Sequence, residues 1–97
     1  MERIERIAEM EKILDAAEPA VKELFDALEK YISVKDDIKT LAEYYTSPLW
    51  MADFMADERG ELPHNLKRGV LSEDAVYNLL GDNDEIFRIM GNLIPGN

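Results

Sequence analysis

The chain has 97 residues, 46% hydrophobic and 33% charged, with no cysteine and a net charge of -10. This length gives a single domain, 1–97, near the small end for an independent core. The composition excludes disulfides and thiolate metal sites and opposes binding to DNA or RNA, which rests on neutralising phosphates.

The acidity is evenly spread, with 12 acidic against 7 basic residues in positions 1–50 and 9 against 4 in positions 51–97. Anionic membrane surfaces are disfavoured for the same reason as nucleic acid. A basic protein partner is compatible with it, and so is a plain role in solubility. No apolar run reaches the ~18 residues of a membrane span. The sequence is charged from Glu2 onward, with no secretory leader pattern, so the expected location is the cytoplasm.

From Glu2 to Tyr45 apolar residues recur at alternating steps of three and four. Met10, Leu14, Ala17, Val21, Leu24, Leu28, Tyr31, Ile38, Ala42 and Tyr45 fall on one seam, which Lys35 interrupts. Ile13, Phe25, Ile32 and Leu41 widen it beyond what a two-stranded coiled coil needs, which predicts packing against more than one helix. Glu18 and Lys22 are spaced for an i,i+4 ion pair. Pro19 removes one helical hydrogen bond and predicts a kink, because the apolar phase continues across it. Unbroken, the segment would run about 66 Å. A small compact domain favours a break at Ser33–Asp36, where Ser33 could cap a helix holding Asp36 and Asp37 in its first turn.

Thr46-Ser47-Pro48 is a stop and restart, with Ser47 as N-cap and Pro48 at the first helical position. The spacing predicts a short helix from Pro48 to about Glu58 that carries Leu49, Trp50, Phe54 and one of Met51 and Met55 inward. Gly60 is expected to end it in the left-handed region, and Gly69 has the same freedom. Pro63 then keeps Gly60–Leu71 as a shaped loop. Ser72 is the expected N-cap of a last helix, Glu73 to about Leu93, with Glu73 and Asp74 at the positive end of its dipole. Leu71 and Val76 have the spacing of a hydrophobic staple. Gly81 is a weak point within this helix, and Gly91–Asn97 is expected to fray.

LPHNLKRGVLSEDAVYNLL, preceded by TLAEYYTSPLWMADFMADERG and by the opening MERIERIAEMEKILD, resembles a family of small bacterial proteins catalogued as domain of unknown function 4298. The resemblance covers nearly the whole chain and is most specific over Leu62–Leu80. It implies a fold and no chemistry. Relatives often carry a proline where this chain has Val34-Lys35, and the last helix here ends early, at Gly91 and Pro95-Gly96.

Three groups of residues are candidate sites. Tyr44, Tyr45, Trp50 and Phe54 gather at the Thr46–Pro48 corner as a partner-binding patch, or simply as the large side chains that small domains place where helices meet. Arg59, His64, Lys67 and Arg68, near Ser72 and the start of the last helix, form the one basic concentration. They could hold a phosphate or carboxylate, or pair with neighbouring acids. Asp53, Asp57, Glu58 and Glu61 could supply oxygen ligands but lack the alternation of a calcium loop. Asp82-Asn83-Asp84 fails that test too, since Phe87 stands where the loop needs Gly. A solvated acidic face accounts for both, and no metal or cofactor is expected. Ser72-Glu73-Asp74 is explained by capping, and His64, the sole histidine, lies in a polar loop without a nucleophile motif.

The expected architecture is all-α, a helical hairpin or small bundle of three to four helices with an ordered loop before the last. The expected function is a non-enzymatic protein–protein interaction module, with a homodimer as one way to cover the wide apolar face. The alternative is a small-anion or nucleotide binding module built on the basic loop.

Overall fold

A computed structural model describes residues 2–94. The described residues form three helices, α1 (Arg3–Tyr45), α2 (Pro48–Glu58) and α3 (Ala75–Leu93), with a 3-10 turn at Gly69–Leu71 before α3. The protein is all-α, with the long N-terminal helix the repeat predicts. It divides into two compact units, Met1–Asp36 and Asp37–Asn97.

The first unit is one stretch of α1. Strong helix formers fill it, and its polar face carries ion pairs such as Lys12–Glu9 at 3.9 Å. Lys22 turns forward to Asp26 at 3.4 Å, where a bond back to Glu18 was anticipated. Pro19 lies inside the helix, which continues through it. The break anticipated at Ser33–Asp36 does not occur. The Ser33 hydroxyl donates to the Lys30 carbonyl at 2.6 Å, within its own helix, and so is not a cap. Every residue from 2 to 27 is exposed, the apolar seam included, with Val21 at 68% and Phe25 at 61%. The burial expected for the seam is therefore not found between residues 2 and 27.

In the second unit the last turns of α1, residues 37–45, lead into a tight corner. Thr46 and Ser47 donate their hydroxyls back to the carbonyls of Ala42 and Tyr44 at 2.9 and 2.7 Å. Ser47 has the extended backbone of an N-cap, but its side chain closes α1 and gives α2 no bond. Pro48 then opens α2, as expected of a residue with no N–H to leave orphaned.

Gly60, at φ +72°, ends α2. Its N–H donates to Asp57, and that of Glu61 reaches back to Ala56, at 2.9 and 3.0 Å. These are the two bonds of a Schellman motif. Gly69 does not take the left-handed region; it begins the 3-10 turn instead. That turn packs against both α2 and α3. Among the described residues only Leu71 (6% exposed) and Val76 (3%) are buried, one on the turn and one in the first turn of α3. These are the two residues of the expected staple.

Helix α3 starts two residues later than expected, at Ala75, because Asp74 has φ -124° and ψ -13°, outside the helical region. The Ser72 hydroxyl still accepts from the N–H of Ala75, at 3.3 Å. The helix passes through Gly81 and Gly91 to Leu93, so fraying does not begin at Gly91; residues 95–97 lie outside the described residues.

Candidate functional site

The second unit brings two of the sequence-predicted groups close together. At the corner, Trp50 stands edge-on to Tyr45, with ring centroids 5.1 Å apart, and stacks on Phe54 at 5.3 Å. Both are separations at which aromatic pairs attract. The Trp50 indole donates to the Val70 carbonyl at 2.9 Å, and the Tyr44 hydroxyl donates to the Asp53 carboxylate at 2.6 Å. All four aromatic residues are half-buried. The polar tips of Tyr44 and Trp50 therefore join the end of α1 to α2, and α2 to the 3-10 turn.

Burial and the adjacent Asp53 carboxylate push the Tyr44 hydroxyl up to about 12. Desolvation is the larger cause; the hydrogen bond to Asp53 and its negative charge add to it. Ionised, this phenol would set two anions side by side.

The basic residues are spread along the loop. Arg59 holds Glu61 through two nitrogens, at 2.9 and 3.1 Å, and this holds the Glu61 carboxyl below its usual range. Arg68 reaches back to Asp57 at 3.1 Å, with both side chains about two-thirds shielded from water. Ser72 is turned to Ala75, and His64 and Lys67 are exposed. A pocket of about 290 Å³ joins the two groups: Tyr44, Asp53, Lys67 and Arg68 line it with Leu62, Leu66, Val70 and Leu71. Of the five residues considered for an anion, Lys67 and Arg68 meet there, whereas Arg59, His64 and Ser72 do not line it.

The acids considered for a cation are placed differently. Asp53 accepts from Tyr44, Asp57 from Arg68 and Glu61 from Arg59. Among the described residues no three His, Asp or Glu side chains gather as a metal set.

The model for the family described as a domain of unknown function, DUF4298, matches residues 7–92. The chain belongs to the DUF4298 family. No curated protein and no solved structure matches it. The DUF4298 match takes in most of the exposed seam of α1, the aromatic corner, the loop and nearly all of α3.

Two features escaped the sequence reading. One is the bond from Trp50 to Val70, which spans twenty residues and has no periodic signature. The other is an open depression of about 680 Å³ on α1 lined by Leu14, Ala17, Glu18, Val21, Lys22, Phe25 and Asp26. Small Ala17 between Leu14 and Val21 on the seam was its visible signal. In neither unit is any described helix long and apolar enough to cross a membrane.

Proposed function

We propose that this protein is a non-enzymatic interaction module of the cytoplasm, whose working surface is the apolar face of α1 in the first unit. One observation carries the reading: large apolar side chains along this helix, from Ile4 at 73% to Ile32 at 67%, stand in water. Apolar patches beyond a few hundred Å² on soluble proteins mark contact surfaces. Helical spacing makes this one the shape that another amphipathic helix fits.

The aromatic corner supports the second unit and ranks behind that face, because its rings spend their edges and faces on one another. Anion binding ranks behind it too, since the guanidinium groups of Arg59 and Arg68 already face carboxylates. The test is a paired comparison of the full chain with a Leu14→Glu, Leu24→Glu variant. Light scattering and co-purification should show associated molecules of any kind with the first and none with the second, at unchanged Trp50 fluorescence. Identical association by both chains overturns the reading.

A further inference from the structure

The face also says what covers it. Taking Ile7 and Leu14 as positions a of a heptad, Met10, Ala17 and Leu24 fall at d. Position e then holds Glu11, Glu18, Phe25 and Ile32, and position g holds Arg6, Ile13, Ala20 and Ala27. In two parallel helices in register, each g residue lies beside the e residue five positions later on the other chain.

Three of these four steps match. Arg6 meets Glu11 of the second copy with opposite charge. The fourth sets Ile13 beside Glu18, which lines the depression on α1 together with Leu14, Ala17 and Val21. The two bulky e residues, Phe25 and Ile32, 61% and 67% exposed, each meet an alanine, Ala20 and Ala27. The extra width of the seam is thus absorbed by one partner of the same sequence. The antiparallel pairing that overlaps the same heptads end to end does worse. It sets Glu18 against Glu18 and Phe25 against Glu11, where like charges repel and a ring faces a carboxylate.

The area is sufficient. Ten large side chains between Ile4 and Val34 are exposed. Covering them removes on the order of 1,000 Å² per chain from water. A stable interface needs about 800 Å² per partner.

We infer that α1 forms a parallel, in-register homodimer through residues 4–34, the small g residues Ala20 and Ala27 seating Phe25 and Ile32 of the second copy. This rests on the reading of α1 as an interaction helix and deepens it by naming the occupant. Sedimentation equilibrium of the full chain gives twice the 11.1 kDa monomer mass. Leu24→Glu weakens the dimer about a hundredfold or more, the effect of disrupting one core position.

Orientation is read with Met10→Cys, which adds the sole thiol to a chain without cysteine. In the parallel pair the two thiols face each other and oxidise to a linked dimer, while Lys12→Cys on the outer face does not. In the antiparallel pair residue 10 lies opposite residue 28, so the thiols are about 27 Å apart, far beyond the ~7 Å limit between the Cα atoms of a disulfide. Ala20→Phe weakens the dimer, and Ala20→Phe with Phe25→Ala restores it.

A monomer at every concentration, a trimer, or no rescue by the swap overturns the proposal. So does cross-linking of Met10→Cys to Leu28→Cys without linkage between two Met10→Cys chains. A monomer whose co-purifying proteins are still lost with Leu14→Glu, Leu24→Glu overturns the homodimer and leaves the broader function standing.

Discussion

The indole nitrogen of Trp50 donates to the carbonyl oxygen of Val70 at 2.9 Å and so fastens the first turn of α2 to the turn that launches α3. Trp50→Phe keeps a ring against Tyr45 and Phe54 and deletes that bond alone. The Val70 carbonyl lies near solvent, so water replaces the donor. The expected cost is about 0.5–1.5 kcal/mol, read from the urea midpoint by circular dichroism. An unchanged midpoint would show that ring packing alone holds the turn.

Leu71 and Val76 are the two buried residues of the described chain. Leu71→Ala should therefore destabilise the second unit more than any surface truncation, by about 2–5 kcal/mol. The expected signature is faster amide exchange from Gly69 through Val76. Protection equal to that of the unmodified chain would mean that the staple is not what closes this end of α3.

Tyr44 makes the second unit sensitive to alkali. Its ordinary value is 10.0 and its folded value is about 12. A raised value for an acid means that the folded state keeps its proton longer than the unfolded state does. The contribution to stability is thus whole below pH 10 and falls as pH rises towards 12. The phenolate absorbance of Tyr44 should develop above the ordinary tyrosine value of 10.0. Tyr44→Phe should flatten the alkaline part of the stability curve. A curve that keeps its slope in that variant assigns the titration elsewhere.

Two glycines should respond in opposite directions to alanine. Gly60 has a positive φ and open space around its missing Cβ. Gly60→Ala therefore meets backbone strain alone, about 1–2 kcal/mol. Gly81 lies within α3 and also has open space. Gly81→Ala should stabilise by up to about 1 kcal/mol. Thermal melts of the two variants should bracket that of the parent chain.

The elements governed by local chemistry were readable from the residues. Pro48, Gly60 and the Leu71–Val76 pair each stand where steric or apolar rules put them. The error at Ser33–Asp36 came from a global assumption, that a short chain must fold back on itself. Locally nothing opposes helix there, and Ser33 is satisfied by Lys30 within its own turn. The start of α3 was misplaced for a related reason. Ser72 does bond the third N–H beyond it, yet the dihedrals of Asp74 delay the helix, and side-chain preference does not report dihedrals. At the loop, the charge cluster was visible but its pairing was not. Which carboxylate each arginine meets depends on the return of the chain at Gly60, and that brings Arg68 to Asp57.

In the heptad register inferred above, Pro19 takes position f, on the side of α1 farthest from Leu14, Val21 and Leu24. The backbone bond it cannot make would have ended on the carbonyl of Asp15, on the outer wall where water can stand in for the missing donor. A proline on that wall curves a helix inward, towards its oily side, and inward curvature is what two helices need to stay in touch over several turns. In the parallel pair inferred above, Pro19 therefore stays on the outer wall and leaves the contact face untouched.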